Sequence, residues 1–220
     1  MVPDAVNLQS IRRVLVTKLR HHGDVLLASP VFSVLKARAP HLEIDALVYA
    51  ETRDMLAGHP SIATIHGIDR AWKRQDWVTQ ARREGELLGR LRERRYQLLV
   101  HLTDHWRGAW LAQALGSRWS VAPARESRLW RRCFSHRYPM AAGRHTVETN
   151  LDALRRIGVY PEEPEKRLVL VPGAEADQRV DGLLAGLGLA PRGFIHVHPT
   201  SRWLFKARSE ERRVGKECRL

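Results

Sequence analysis

Four side chains that can carry positive charge and one carboxylate lie close together near the start of the chain. The segment LVTKLRHHGDVLLASP, residues 15–30, contains Lys18, Arg20 and two adjacent histidines, followed by Gly23 and Asp24. Ammonium and guanidinium groups bind the anionic oxygens of phosphates and carboxylates. A carboxylate within hydrogen-bond distance of a hydroxyl can act as a general base. On residue types alone, the segment could serve nucleic-acid binding, a metal site, a phosphate site or sugar transfer.

The spacing of these residues narrows the alternatives. His21 and His22 are adjacent and have no H-x-x-x-H or cysteine partner, which argues against a metal site. One glycine does not make either glycine-rich phosphate motif, but Gly23 would let the backbone approach a ligand or turn into a helix. Asp24 then falls at or near the N-cap of that helix, where it could cap the helix, act as a base, or do both. The basic residues could bind substrate anions or form a solvated loop.

Apolar strand-like segments alternate with amphipathic segments along the chain. A short run rich in Val and Leu at 13–17 predicts a buried parallel strand, and the apolar spacing after it predicts a helix from Asp24 that ends before Pro40. The alternation indicates βαβ units in an open parallel sheet with helices on both faces. Further strands are predicted at 43–50, 62–68, 96–102, 117–122 and 167–171, and further helices at 77–95, 106–115, 146–159 and from about 174.

Two segments stand outside this first alternation. Residues 123–145 are basic, aromatic and irregular, which predicts a long loop that contacts a substrate or a membrane, or simply lies on the surface. At 194–197 an apolar strand again runs into polar residues. This pattern predicts the first strand of a second, similar domain.

Ligands bind at the carboxyl ends of the strands in open parallel sheets. We therefore expect residues at the end of the 96–102 strand to face the same cleft as Lys18. The residues expected there are His101, Thr103, Asp104 and Trp106. Asp104 could be a second carboxylate for the substrate or a helix cap. His145 and Asn150 fall near a helix start, where capping competes with substrate contact.

The composition is that of a globular protein. Of 220 residues, 44% are hydrophobic and 28% are charged, and no apolar run approaches the roughly 18 residues that span a membrane. The N-terminal residues show no secretory signal, so we expect a cytoplasmic protein. Outside the last thirteen residues Cys133 is the single cysteine, which suits a reducing compartment.

The last thirteen residues, RSEERRVGKECRL at 208–220, differ from the rest of the sequence. They show no apolar period, and we interpret them as the translation of a sequencing adapter, so that the natural chain would continue beyond Ala207. Without their charge of +2, the formal net charge of +13 becomes +11. The protein stays strongly basic, which indicates an acidic partner.

Four segments, in order along the chain, resemble glycosyltransferase family 9, the bacterial lipopolysaccharide heptosyltransferases. The first is RVLVTKLRHHGDVLLASPVFSVLKARAPHLEIDALVY at 13–49, in which a strand and a lysine precede Gly-Asp and a helix. The others are YQLLVHLTDHWRGAWLA at 96–112, GRHTVETNLDALRRIGV at 143–159 and HVHPTSRWLFK at 196–206. The second and fourth segments are most similar to the heptosyltransferase III branch of the family.

The resemblance implies a GT-B fold, in which two Rossmann-like domains face each other across a cleft. The N-terminal domain would bind the lipopolysaccharide inner-core acceptor, and the C-terminal domain would bind ADP-heptose. Transfer would invert the anomeric centre and would need no metal or other cofactor. The enzyme would work in the cytoplasm in peripheral contact with the inner face of the cytoplasmic membrane.

The resemblance also implies roles for individual residues. Asp24 matches the carboxylate proposed to deprotonate the acceptor hydroxyl. The residues that would face the anionic groups of the acceptor are Lys18, Arg20, His21 and Gly23, and Asp104 joins them by its position after a strand. The residues that would contact the donor diphosphate are Thr200, Ser201 and Lys206. A cation there would stabilise the negative charge that builds on the departing ADP.

These observations give a domain plan. It consists of an N-terminal extension at 1–12, an acceptor-binding Rossmann-like domain at 13–172, and a linker helix with the start of a donor-binding domain at 173–207, before the tail at 208–220. A later donor-binding motif of the family, Asp-Ser/Thr before a helical His-x-Ala-Ala segment, is absent from the sequence. We therefore expect the chain as given to have no transferase activity.

Other function classes fit some of the same features. The positive charge and the Arg- and Trp-containing segment at 123–137 could bind nucleic acid, although no helix-turn-helix, zinc-finger or RNA-recognition signature is present. A phosphorylated glycolipid at a membrane with anionic lipid explains the same charge. A different GT-B sugar-nucleotide transferase, or an epimerase on a similar sheet, is a further alternative. An epimerase should show a glycine-rich dinucleotide loop after its first strand, and the loop at 18–24 is not one.

Overall fold

A computed structural model describes residues 4–74, 76–190 and 192–197. The chain divides into two compact units, Met1–Gly173 and Ala174–Leu220. Six parallel strands of the first unit form one sheet in the order β3-β2-β1-β4-β5-β6. The strands are β1 Arg13–Thr17, β2 Glu43–Tyr49, β3 Thr64–Ile68, β4 Leu98–His101, β5 Trp119–Pro123 and β6 His136–Tyr138. The parallel sheet confirms the predicted α/β class.

Helices connect these strands. In the first unit the α-helices are α1 His22–Leu26, α2 Ser29–Arg38, α3 Trp77–Glu93, α4 Trp106–Leu115, α5 Arg128–Cys133 and α6 Thr146–Arg156. Short 3-10 helices cover Leu8–Ser10, Ala50–Met55, Arg70–Arg74 and Glu163–Lys166. The second unit contains α7, Ala174–Gly186.

Both faces of the sheet are buried, because alternate residues of a strand point to opposite sides. On β1, Val14 and Val16 belong to one core, which includes buried residues of α2 and α6. Leu15, between them, belongs to a second core with buried residues of α3, α4 and α5. The structure therefore confirms the predicted helices on both faces.

The central strand β1 lies between β2 and β4. Its last residue, Thr17, is paired with Leu47 on one side and His101 on the other. The chain leaves β1 and β4 at the same edge of the sheet, so Lys18 and Leu102 begin neighbouring loops. The strand order reverses between β1 and β4, and ligand crevices in open α/β sheets form at such a point.

The predicted helix from Asp24 to residue 39 is divided into α1 and α2. Pro30 lies in the first turn of α2. A proline has no N–H to donate to the carbonyl four residues earlier, and its ring clashes with that carbonyl. The helix therefore ends at Leu26 and restarts at Ser29.

The predicted loop at 123–145 contains two regular elements, α5 and β6. The fully buried Trp130 anchors α5, and its indole N–H donates to the carbonyl of Pro123 at 2.8 Å. Strand β6 has three residues and pairs with β5 through Val121 and His136. A strand this short carries no period in the sequence, and its pairing with β5 is what forms it.

Two predicted strands are wrong. Residues 167–171 and 194–197 have no strand partner among the described residues and form no strand. The N–H of Val169 donates instead to Ser29 Oγ at 3.0 Å, and Ile195 and Val197 are exposed. Apolar β-branched runs favour strands, but the backbone of a strand needs a neighbour with which to form hydrogen bonds.

An ion-pair network ties the amino ends of the central strands together. Arg94 contacts Asp45 at 2.8 Å and Glu43 at 3.1 Å, and Glu43 also contacts Arg13 at 2.7 Å. Asp45 is fully buried and also accepts from the hydroxyl of Tyr96. Although burial opposes it, hydrogen bonds from His66, Tyr96 and Arg94, together with the Arg94 charge, lower the pKa of Asp45 to about 2. The network lies at the end of the sheet opposite the β1 and β4 exit loops.

His101 at the end of β4 restricts which residue type α4 can have where the helix crosses the strand. It is fully buried, stacks on Phe134 at 6.0 Å between ring centroids, and its Nδ1 lies 2.5 Å from Thr17 Oγ1. Gly108 on α4 packs directly against the ring: a Cβ there would lie 1.9 Å from Nε2 of His101. Only glycine fits at this crossing of helix and strand.

We predict that Gly108→Ala destabilises the first unit by about 3 kcal/mol or more, because overpacking a buried contact costs 1–3 kcal/mol and here the clash involves three ring atoms. Urea unfolding followed by circular dichroism measures the change. Gly89→Ala on the exposed face of α3 is the control, since its Cβ would meet no atom within 4 Å. This control should gain about 0.5–1 kcal/mol. Equal effects of the two substitutions would contradict the packing argument.

Candidate active site

Lys18 leaves β1 and turns its side chain into the protein. The residue is 7% exposed, and its Nζ donates to the carbonyl of Leu102 at 3.1 Å and to Asn150 Oδ1 at 2.9 Å. Burial lowers the pKa of Lys18 to about 8 from its ordinary 10.5, although the nearby carboxylates of Asp24 and Asp104 act in the opposite direction. A buried ammonium ion therefore lies at the centre of the strand-order reversal.

Arg20 and Asp104 join the two exit loops. The guanidinium Nη2 of Arg20 lies 2.8 Å from Asp104 Oδ1, and about half of each side chain is exposed. Asp104 does not cap α4: the N-cap is His105, whose Nδ1 accepts from the N–H of Arg107 at 3.1 Å. The helix-cap alternative for Asp104 is thus wrong, and its carboxylate pairs with Arg20 instead.

Asp24 lies in the first turn of α1 but is not its N-cap. The helix begins at His22, and His21 occupies the cap position without a side-chain capping hydrogen bond. The predicted capping role of Asp24 is therefore wrong, because the helix starts two residues earlier than expected. Asp24 is partly buried and its side chain lines the cavity described next.

Gly23 has helical geometry and does not need the conformational freedom of glycine. A Cβ at this position would meet no atom within 4 Å. The sequence prediction of a tight glycine turn is not what the structure contains. Gly23 is exposed, and the absence of a side chain leaves open space on the surface of the first turn of α1.

The first cavity lies between the exit loops and α6 and has a volume of about 270 Å³. It combines one carboxylate from α1, the buried ammonium of Lys18, and the Arg20–Asp104 pair. The residues that line it include Lys18, Arg20, Asp24, Thr103, Asp104, Tyr138, Arg144, Thr149 and Asn150. Basic and acidic groups are thus held a short distance apart around a space large enough for a sugar ring.

A second cavity of about 360 Å³ opens on the other side of the Arg20–Asp104 pair. Arg20, Thr103 and Asp104 line both cavities. The other residues that line the second cavity are Leu19, His21, Tyr49, Arg70, His105, Trp106 and Arg125. Arg70 lies 3.9 Å from the centroid of the Tyr49 ring, and Arg125 lies 5.5 Å from that of Trp106. Cationic groups and aromatic faces suit an acidic sugar.

The structure brings together most of the residues that the sequence nominates. Lys18, Arg20, Asp24 and Asp104 line the first cavity, and His21 and Trp106 line the second. His22 is exposed and lines neither cavity. Thr200, Ser201 and Lys206 lie outside the described residues, so the predicted donor contacts have no structural account here.

His101 does not face the cleft, contrary to the sequence prediction. Strand alternation places it on the same side of the sheet as Leu99, in the core with Trp130 and Phe134. Burial lowers its pKa to about 3, so the ring is neutral. Its Nε2 has no hydrogen-bond partner among the described residues. His101 supports β4 and α4 and does not touch either cavity.

Of the two residues near the start of α6, only His145 caps the helix. His145 Nδ1 accepts from the N–H of Val147 at 3.3 Å. Asn150 lies one turn further along, is 1% exposed, and contacts Lys18. For Asn150 the capping alternative is therefore wrong, because a residue inside the helix cannot reach the open N–H groups of its first turn.

Sequence reasoning missed several residues that line the cavities. Tyr138 lies on β6, which is too short to show a period in the sequence, and Arg144 and Arg125 lie in the basic segment for which the sequence predicts a loop. Arg70 follows β3, and the carboxyl-end rule that selected Asp104 also applies to it. Applying that rule to every strand would have found it.

The residues that the structure describes contain no group of three or more His, Cys, Asp or Glu side chains arranged to hold a metal ion. None of the described helices combines the length and the hydropathy that crossing a membrane requires.

Known proteins are similar to the chain in sequence. A family model described as glycosyltransferase family 9 (heptosyltransferase) matches residues 85–212. Lipopolysaccharide heptosyltransferase 3 of Escherichia coli is 32% identical over 191 residues, which cover 86% of this chain and 54% of that protein. Lipopolysaccharide heptosyltransferase 1 of Pseudomonas aeruginosa is 29% identical over 160 residues, covering 68% and 43%. The chain spans about half the length of the curated relatives it matches.

Solved structures share the fold. The glycosyl transferase family 9 protein from Veillonella parvula DSM 2008 matches with a TM-score of 0.71 at 20% identity, covering 85% of this chain and 52% of that one. Escherichia coli heptosyltransferase WaaC with ADP-2-deoxy-2-fluoro heptose matches with a TM-score of 0.59 at 18% identity, covering 69% and 50%. These likenesses confirm the Rossmann-like fold of the described sheet.

Proposed function

The chain belongs to glycosyltransferase family 9, and from this premise we propose that its first unit is the acceptor-binding half of an inverting heptosyltransferase. The reaction would move heptose from ADP-heptose to the inner core of lipopolysaccharide. The observation that carries the proposal is the first cavity, in which Asp24 and the buried Lys18 lie together at the strand-order reversal. Family membership favours this use of the positive charge over binding of nucleic acid. The donor contacts lie outside the described residues, so another sugar-nucleotide donor is the alternative.

Asp24 is the proposed general base. Its carboxylate would accept the proton of an acceptor hydroxyl while the oxygen attacks the anomeric carbon from the face opposite the diphosphate. The bond between that carbon and the diphosphate oxygen breaks, and ADP leaves with the electron pair. The new bond forms on the opposite face, so the configuration inverts. Because Asp24 is partly buried and lines the first cavity, an acceptor hydroxyl that enters this cavity could approach its carboxylate.

Cationic side chains are proposed for the two anionic partners of the reaction. Lys18 and Arg20 would bind acidic groups of the acceptor in the first cavity, and Arg70 and Arg125 would bind further ones in the second. On the donor side, Thr200, Ser201 and Lys206 would contact the diphosphate. The proposal includes no metal, since a lysine at this position can neutralise the charge that develops on ADP.

Acceptor binding tests the first part of the proposal. We predict that the 220-residue chain binds a phosphorylated inner-core oligosaccharide and that Arg20→Gln weakens binding about tenfold, because a hydrogen bond to a charged group is worth about 1.5–3 kcal/mol. Isothermal titration calorimetry measures the dissociation constants. Arg82→Gln is the matched control: Arg82 is also an exposed arginine in an ion pair, with Glu86 at 2.9 Å on α3. The proposal fails if the oligosaccharide does not bind, or if both variants weaken it equally.

Turnover tests the second part. Because the chain spans about half the length of its relatives, we expect it to bind the acceptor and yet release no ADP from ADP-heptose. A coupled assay for ADP, with the oligosaccharide present and with and without a chelator, gives the rate. Chelator-sensitive turnover would contradict the metal-free mechanism, and robust chelator-insensitive turnover would contradict the expected inactivity.

The exposed face of α5 is the proposed contact with the anionic surface of the inner membrane. Arg128, Arg131 and Arg132 are exposed there, and Leu129 between them is 62% exposed. Short basic segments with an apolar residue bind anionic lipid surfaces at about 1 kcal/mol per basic residue. The acceptor is a glycolipid in that membrane, so such a contact would place the cavities near it.

We predict that the chain sediments with vesicles containing phosphatidylglycerol but not with pure phosphatidylcholine, and that salt releases it. Charge reversal of Arg131 and Arg132 to Glu should lower partitioning at least about 30-fold, since two basic residues contribute about 2 kcal/mol. Reversal of Arg82 and Arg83 on the exposed face of α3 changes the net charge equally and serves as the control. Similar losses in both variants would show that net charge alone drives binding and would overturn the assignment to α5.

A further inference from the structure

The buried ammonium of Lys18 is held by two acceptors and has three N–H groups. Its Nζ donates to the carbonyl of Leu102 at 3.1 Å and to Asn150 Oδ1 at 2.9 Å. In the part of the chain that the structure describes, these are the two hydrogen bonds that it makes. Lys18 also lines the first cavity. One N–H is therefore left for a ligand in that cavity.

Asn150 connects this ammonium to the helix that carries the proposed base. While its Oδ1 accepts from Lys18, its Nδ2 donates to the carbonyl of Leu27 at 2.9 Å, just after the end of α1. An ammonium can only donate and a carbonyl can only accept, so the amide has one possible orientation. A single side chain on α6 thus joins Lys18 and α1.

Buried apolar side chains of α6 flank Asn150 along the chain. Val147, Leu151 and Leu154 of the same helix are buried in the first core. Asparagine in a helix interior is unfavourable relative to leucine, and a buried amide costs free energy unless its polar atoms are hydrogen-bonded. The presence of asparagine at this position is therefore explained by its two hydrogen-bond partners and not by packing in the core.

We propose that Asn150 is a positioning residue for acceptor binding: it fixes Lys18 Nζ relative to α1, so that one N–H of Lys18 is presented beside Asp24. The ligand named in this inference rests on the proposed function. The geometry around Asn150 does not depend on that function. Without the amide, the ammonium would lose one of its acceptors, and the carbonyl of Leu27 just after α1 would lose its hydrogen bond from α6. The acceptor would then meet a less ordered cation.

Other charged and titratable groups also face Lys18. Asp24 on α1 and Asp104 after β4 favour the ammonium form, and Arg20 in the same loop disfavours it. His101 at the end of β4 is buried and neutral, and Arg144 lines the same cavity from the segment before α6. A change at Asn150 alone leaves all of these groups in place. The response of Lys18 to that change therefore reports on Asn150.

The test follows the ionisation of Lys18 in the 220-residue chain labelled with ¹³C- and ¹⁵N-lysine. The side-chain signals are titrated by NMR, and Lys18→Arg identifies the Lys18 signal. We expect Asn150→Leu, which removes the acceptor, to lower the midpoint by about one pH unit or more, and Asn150→Asp, which keeps an acceptor and adds charge, to raise it by a similar amount. Asn7→Asp is the control, since it makes the same chemical change at an exposed 3-10 helix cap and should leave the midpoint unchanged.

Opposite shifts in the two variants support the positioning role, because loss of packing alone would move both in the same direction. Asn150→Asp keeps the test decisive if Asn150→Leu fails to fold. An unchanged Lys18 midpoint in the folded variants overturns the proposal.

Titration of the same samples with the phosphorylated inner-core oligosaccharide separates this inference from the proposed function. We expect both variants to bind the oligosaccharide at least fivefold more weakly than the parent chain. If the midpoints shift as expected but the parent chain does not bind the oligosaccharide, the proposed function fails and the geometric role of Asn150 stands. If the parent chain binds and the variants bind equally well, the positioning role in acceptor binding fails.

Discussion

The buried ammonium of Lys18 is the interaction on which the arrangement of the site depends. A cation that is 7% exposed at the end of a central strand is costly unless its N–H groups are satisfied. Its acceptors come from elements far apart in sequence, the carbonyl of Leu102 after β4 and the amide of Asn150 on α6. The requirement to satisfy one charge therefore brings the β1 loop, the β4 loop and α6 together. The first cavity is the space that this arrangement encloses.

Much of the fold is predictable because the local periodicity of apolar residues indicates its strands and helices. Strands β1 to β5 and helices α3, α4, α6 and α7 follow from apolar runs and amphipathic spacing. Elements that depend on pairing with a neighbouring segment could not be predicted from the sequence. Strand β6 exists because β5 lies beside it, whereas residues 194–197 have a strand-like composition but no strand partner among the described residues. Pro30 shows the reverse, a local signal strong enough to divide a helix.

The candidate site likewise contains residues that the sequence predicts and residues that it does not. The rule that ligands bind at the carboxyl ends of parallel strands is enough to place Lys18, Arg20, Asp24 and Asp104 together. It fails for His101, because alternation along β4 points this side chain into the opposite core. It also cannot reach Asn150, which lies 132 residues beyond Lys18 on a helix. The packing of α6 determines which residues Asn150 contacts, and no sequence pattern within the helix shows how α6 packs.

The two cations of the first cavity are held in different ways, and this difference bears on how a ligand would bind. Lys18 is buried and its bonds to Leu102 and Asn150 are protected from water, so its position is set before a ligand arrives. Arg20 pairs with Asp104 at the surface, where an ion pair contributes about 0–1 kcal/mol. An acidic group of a ligand could therefore replace the Asp104 carboxylate at Arg20 with little loss. Because this pair borders both cavities, its opening would join them into one longer groove. A preorganised cation beside Asp24 and an exchangeable one at the boundary would suit the proposed acceptor, which must be held firmly at one hydroxyl and accommodated along the rest of its length.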